Sequence, residues 1–176
     1  MYNKDDSAVQ CDCVVIFGAS GDLSFRKLLP AFYDLFVLKQ LPETFTILGV
    51  SRTAYTDEEF RAALVPSLNA HSRSELDTIE DFLTHIHYIA LNTSDEQDYI
   101  KLKHWLDKHR AVSSIKEIDN RGVLYYLATP PSLFSIITDY VILKCLNFFY
   151  ILTYPLKCLD GSKKWYKSIR HVKVKW

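Results

Sequence analysis

The sequence predicts an α/β fold, a parallel sheet with flanking helices. Three observations carry that expectation. Short apolar runs without alternation, such as Cys13-Val-Val-Ile-Phe17, suit strands buried on both faces of a sheet. Between them lie stretches whose apolar residues recur at helical spacing, one opened by the capping signature Thr56-x-x-Glu59. Strand and helix patterns then alternate along the chain, which argues for parallel pairing through right-handed crossovers.

Taken in order, Cys13–Phe17 reads as the first strand, bounded by Gly18. Phe25, Leu28, Leu29, Phe32, Leu35 and Phe36 follow at helical spacing, but Pro30 has no N–H and would clash with the Arg26 carbonyl of an unbroken helix. The pattern therefore predicts a short helix and then a second one starting at Pro30. Phe45–Val50 gives a second strand ending at Ser51-Arg52, and the Thr56 box opens a helix carrying Phe60, Ala63 and Leu64. Residues 75–83 read as helix and 86–91 as strand. Ser94-x-x-Gln97 then caps a helix with Tyr99, Leu102 and Leu106 on its buried side. Val123–Ala128 is a further strand, and Thr129-Pro-Pro-Ser132 starts a helix with Leu133, Ile136, Ile137, Tyr140 and Val141 on one face.

The composition of the 176 residues, 48% hydrophobic and 24% charged, allows one sizeable core. Net charge is zero but unevenly spread. From Asp139 onward there are eight Lys/Arg against two acids, and before it thirteen against nineteen. The late charges are scattered among Tyr, Leu and Trp rather than packed into a basic arm, which argues against nucleic acid as a partner. The most apolar window, 140–156, is interrupted by Lys144, Asn147 and Pro155 and is too short for an easy membrane span, so no membrane partner is expected. Cys11, Cys13, Cys145 and Cys158 form no Cys-x-x-Cys pair, and no secretory signal opens the chain. Free thiols and a cytoplasmic location fit both facts. His85-x-His87 could ligate from one side of a strand, and His104 and His109 lie five apart on a helix, but without a third ligand ordinary packed histidines are the expectation and no metal site is assigned.

Chemistry gathers around Gly18-x-x-Gly21. A strand ending in glycine and opening into a helix fits a dinucleotide cradle. The first glycine permits the turn, the second lets a phosphate approach the backbone, and unpaired helix amides face the anion. The motif lacks the full Gly-x-Gly-x-x-Gly spacing, so a plain structural turn accounts for it equally well. Arg52 adds weight to the cradle. An acid at the end of the second strand binds the ribose hydroxyls of NAD, whereas arginine there accommodates the 2′-phosphate of NADP, and Gly49-Val-Ser-Arg52 carries no acid.

Gly18-Ala-Ser-Gly-Asp-Leu23, Arg26-Lys-Leu28, Pro30-Ala31, Gly49-x-Ser-Arg52 and Tyr126-Leu-Ala-Thr-Pro-Pro131 together resemble the coenzyme domain of the glucose-6-phosphate dehydrogenase family, from about Cys13 to about Thr138. The resemblance implies a Rossmann-like domain over 1–138 that binds NADP. It also implies an enzyme taking hydride from glucose 6-phosphate to give the 6-phospholactone, usually as a homo-oligomer. Carried over by position, Gly18, Ala19, Ser20, Gly21, Asp22 and Leu23 would wrap the diphosphate, and Arg52 would hold the 2′-phosphate. Lys27 would lie between coenzyme and sugar, and Tyr126 near the nicotinamide half. Asp22 also fits a helix cap, Lys27 a surface lysine and Tyr126 a core residue. Thr129 stands where the family has an apolar residue.

The same resemblance places the catalytic histidine and the sugar-phosphate site beyond the coenzyme domain, and nothing after Thr138 matches them. Residues 139–176, basic and aromatic, read as a tail foreign to the fold, as in a truncated product that leaves the sheet incomplete and is inactive alone. The alternative is a non-enzymatic NADP-binding or partner-binding module that docks through this tail.

Overall fold

The computed structural model describes residues 11–112, 122–145, 149–153 and 169–170. Among the described residues, five parallel strands and one antiparallel strand form a single sheet in the order β3-β2-β1-β4-β5-β6. The strands are β1 (Cys11–Phe17), β2 (Thr46–Ser51), β3 (Ile86–Ala90), β4 (Gly122–Leu127), β5 (Phe149–Thr153) and β6 (Ile169–Arg170). Only β6 runs antiparallel, against β5. The helices are α1 (Leu29–Val37), α2 (Asp57–His71), α3 (Ile79–Thr84), α4 (Glu96–Val112) and α5 (Phe134–Lys144).

β1 shows why its sequence lacks alternation. Val15, Ile16 and Phe17 are all fully buried, yet Val15 and Phe17 pack into one core and Ile16 into another. Successive side chains point to opposite faces, and both faces are covered. One core joins Val15, Phe17, Leu48 and Val50 to Leu102 of α4 and Ile137 and Val141 of α5. The other joins Ile16 and Ile47 to Leu29 and Tyr33 of α1, Phe60 and Leu64 of α2, and Phe82 of α3. Each burial of a large apolar side chain contributes about 1.5–3 kcal/mol. A sheet enclosed on both faces therefore has the apolar drive to hold otherwise slower-forming parallel pairings.

Pro30 is accommodated differently from the expected helix break. A π-helical turn at Ser24–Leu28, with the Leu29 N–H donating to the Ser24 carbonyl, runs directly into α1. Widening the turn by one residue takes the Arg26 carbonyl out of the α-register that the proline ring would strike, so the chain stays helical. Two other boundaries shift. The 75–83 helix forms only from Ile79 to Thr84. α4 is capped by Asp95, which accepts the Gln97 N–H at 2.9 Å, rather than by a Ser94–Gln97 box. The Thr56–Glu59 box is present in both directions, at 3.1 and 2.8 Å.

α5 runs through Asp139, across the composition shift, and buries Ile137 and Val141 on the side facing the sheet. The greater part of the 139–176 segment lies outside the described residues, as does Cys158. Among the described residues Cys11, Cys13 and Cys145 are free thiols, and burial pushes the Cys145 thiol up to about 11. No helix among the described residues is long and apolar enough to cross a membrane.

Candidate functional site

The sheet order reverses between β1 and β4, so the chain leaves these neighbouring strands in opposite directions. In open parallel sheets the crevice at the carboxyl ends of such strands is where ligands sit. Phe17 and Leu127 are register partners at that edge, and the Ala128 N–H donates to the Phe17 carbonyl at 2.9 Å. A cleft of about 500 Å³ opens there, lined by Gly18, Ser20 and Gly21 after β1, Ser51, Arg52 and Thr53 at the end of β2, Thr93 after β3, and Ala128, Thr129, Pro130 and Leu133 after β4.

The loop after β1 is fixed from within. Gly18 has φ +83°, and a Cβ there would lie 2.5 Å from the Ala128 carbonyl oxygen. The first glycine thus serves the left-handed turn and the close approach of the β4 loop together. The Gly18 and Ala19 amides both donate to the Val50 carbonyl, at 2.8 and 3.2 Å, and the Gly21 amide to the Gly18 carbonyl at 3.0 Å. The same carbonyl accepts from the buried Ser24 hydroxyl at 2.9 Å. The first helical bond runs from Phe25 N–H to the Gly21 carbonyl. Among the described residues no acceptor meets the amides of Ser20, Asp22 and Leu23, so these three are the loop's available donors.

The expected site residues take different positions. Gly18, Ser20, Gly21 and Arg52 line the cleft. Ala19 is fully buried behind it, and Gly49 leaves room for it, since a Cβ at Gly49 would come 2.9 Å from the Ala19 Cβ. Asp22 does not cap the helix. It already lies in the first helical turn, where its carboxylate turns outward and meets Arg26 at 3.4 Å. Leu23 is half-buried on the same turn. Lys27 is exposed on the π-helical turn, away from the cleft lining. Tyr126 lies on β4, half-buried against the core that contains Ile16.

Arg52 has no carboxylate partner among the described residues, and the cleft lining contains neither acid nor histidine. Its neighbours are tied into a chain of hydroxyls that the sequence did not reveal. Ser20 Oγ lies 2.6 Å from Ser51 Oγ and 3.1 Å from Thr53 Oγ1. Ser51 Oγ lies 2.7 Å from the Tyr88 hydroxyl, which donates to the Thr53 carbonyl at 2.7 Å. Burial holds the Tyr88 phenol above its ordinary range, so it stays protonated as a donor. The Thr129 hydroxyl is buried in the cleft wall with no hydrogen-bond partner among the described residues. Serine and threonine next to a glycine turn are common enough that spacing alone gave no signal for either feature.

His85 and His87 have structural partners. His85 Nδ1 lies 2.9 Å from the Phe45 carbonyl, and His87 Nδ1 lies 3.0 Å from an Asp57 carboxylate oxygen whose twin accepts the Tyr88 N–H at 2.7 Å. Asp57, at the start of α2, therefore covers an amide of the edge strand β3.

Comparison with known proteins agrees with this geometry. The family described as "Glucose-6-phosphate dehydrogenase, NAD binding domain" matches residues 15–147, beyond the composition shift. Glucose-6-phosphate 1-dehydrogenase of Aggregatibacter actinomycetemcomitans is 42% identical over 127 residues, 72% of this chain and 25% of its own length. That of Treponema pallidum is 40% identical over 140 residues, 76% of this chain and 26% of its own length. A solved structure of glucose-6-phosphate dehydrogenase in complex with its substrate glucose-6-phosphate superposes with a TM-score of 0.71 at 27% identity, over 82% of this chain and 30% of that one. The chain thus spans about a quarter of the length of these curated relatives.

Proposed function

Because this chain belongs to the glucose-6-phosphate dehydrogenase family, in its NAD-binding domain, we propose that the cleft at the β1–β4 edge binds NADP⁺ in preference to NAD⁺. In this reading the chain is the coenzyme-binding part of an enzyme that oxidises glucose 6-phosphate to 6-phosphogluconolactone, the entry to the pentose phosphate pathway. The observation that carries the coenzyme preference is Arg52, placed at the end of β2 on the cleft wall with no carboxylate beside it. A guanidinium presents paired donors to a phosphate, whereas an acid at that position would repel it.

The residues fit the group. The cleft volume suits a ligand site, and among the described residues the Ser20, Asp22 and Leu23 amides lack acceptors and the buried Thr129 hydroxyl lacks a partner. Ser20, Asp22 and Leu23 would hold the diphosphate through their amides, with Gly18 and Gly21 keeping side chains out of its way and Ala19 fixing the loop from below. Arg52 would hold the 2′-phosphate. Lys27, between coenzyme and sugar, and Tyr126, near the nicotinamide half, would act only beyond the cleft lining, in which neither stands. When bound, the coenzyme supplies the hydride acceptor.

Oxidation of a carbinol also needs a base for the hydroxyl proton, and the cleft lining offers no histidine or carboxylate. The chain by itself therefore binds coenzyme without turning over glucose 6-phosphate. The free thiols Cys11, Cys13 and Cys145 support a cytoplasmic location. The deciding experiment is calorimetric titration of the purified chain with NADP⁺ and with NAD⁺. Saturable binding with NADP⁺ at least tenfold tighter is expected, together with a rise in melting temperature on adding NADP⁺. Equal affinities would remove the preference, and no binding of either would overturn the reading.

A further inference from the structure

The hydrogen inventory of the hydroxyl chain fixes its direction. The Thr53 carbonyl can only accept, so the single proton of the Tyr88 hydroxyl goes there. Ser51 must then donate to the Tyr88 oxygen, Ser20 to Ser51, and Thr53 Oγ1 to Ser20. The relay starts on the Thr53 side chain and closes on the Thr53 backbone, with Tyr88 as its terminal donor. It stitches the loop after β1 to the two residues that flank Arg52.

The tyrosine is itself held rigidly. It is buried in the core below the cleft, its ring stacks on Phe60 at 4.6 Å and meets Tyr55 edge-on at 5.7 Å, and its backbone amide is bonded to Asp57. Gly49 admits the ring, because a Cβ there would stand 3.1 Å from Tyr88 Cδ2. The ring lies outside the cleft lining, so it cannot itself touch a ligand.

From this arrangement we infer that Tyr88 is a positioning residue for the 2′-phosphate subsite, setting the Ser51–Thr53 segment so that Arg52 faces the cleft. The inference rests on the coenzyme reading above and deepens it. Ser20 Oγ spends its proton on Ser51, which leaves its backbone amide as its donor to a phosphate. The longest link, Thr53 Oγ1 to Ser20 at 3.1 Å, is the one whose proton an incoming phosphate oxygen can take.

Tyr88→Phe keeps the ring and deletes only the hydroxyl, and Ser51→Ala cuts the relay at its middle. Titration of wild type and both variants with 2′,5′-ADP and 5′-AMP, and with NADP⁺ and NAD⁺, reads the subsite separately from the rest. Each variant is expected to bind the 2′-phosphorylated ligands about tenfold more weakly while 5′-AMP and NAD⁺ change less than about threefold, the loss expected for one charge-assisted contact. A merely structural role would lower the melting temperature and weaken both ligand classes alike, which would overturn the inference, as would wild-type selectivity in both variants. Should Tyr88→Phe fail to fold, Ser51→Ala decides alone. Failure of the wild type to bind any of the four would sink the coenzyme reading itself, whatever the variants do.

Discussion

Gly18 and Ala128 approach so closely that a methyl group on the glycine would lie 2.5 Å from the alanine carbonyl oxygen. This contact joins the loops after β1 and β4 at the point where the sheet reverses. Gly18→Ala adds a positive-φ strain of about 1–2 kcal/mol to an overpacking cost of about 1–3 kcal/mol. A loss of about 3 kcal/mol is expected, read as a lower urea midpoint with unchanged slope, and coenzyme binding weakens as the two loops part.

Arg52→Ala removes an exposed side chain that has no hydrogen-bond or ion-pair partner among the described residues. Surface changes of that kind usually alter stability by less than about 0.5 kcal/mol. Charge-assisted hydrogen bonds contribute about 1.5–3 kcal/mol, so NADP⁺ affinity should fall by about one to two orders of magnitude. NAD⁺ affinity should hardly move. Loss of both affinities together would mean that Arg52 supports the loop rather than reads the phosphate.

β1 to β4 are legible as apolar runs, and the Cys13–Phe17 reading falls within two residues of β1, whereas β5 and β6 join the sheet from the 139–176 segment that the sequence reads as foreign to the fold. The Thr56 cap was legible because it is a local exchange of two hydrogen bonds. Pro30 misled because local sequence shows the clash but not the π-helical turn that relieves it. Within the site, Gly18 and Arg52 announce themselves through a special backbone angle and a charge at a strand end. The Ser20–Ser51–Tyr88–Thr53 relay does not, because its members are common hydroxyl residues from the loop after β1, the end of β2 and the middle of β3, and only tertiary packing brings them together.

Asp57 ties α2 to β3 through one carboxylate, accepting the Tyr88 N–H at 2.7 Å, bonding His87 at 3.0 Å and lying 3.7 Å from Arg61 within α2. Asp57→Ala leaves that edge amide without its acceptor. Unsatisfied groups of this kind cost about 1–3 kcal/mol. Destabilisation of that order is expected, with faster hydrogen exchange at Tyr88 than at Val50, whose strand has neighbours on both sides.

Acid sensitivity should centre on His109. Its ring stacks on Trp105 at 4.0 Å and meets His87 at 4.8 Å, and burial, then the His87 charge, lower its affinity for a proton below the ordinary 6.5; Lys108 adds to this and Asp57 opposes it. The unfolded chain then binds more protons than the folded one between the lowered value and 6.5. Stability is therefore full above about 6.5 and declines as pH falls through that window. Asp98 acts in a separate window, because its bonds from Lys101 and the Asn92 amide hold it below 3.8 and its contribution fades only beneath that value. Urea denaturation at pH 7.5 and 5.5 should show a lower midpoint in acid, and His109→Gln should flatten the difference. An undiminished acid loss in that variant would transfer the effect to other groups.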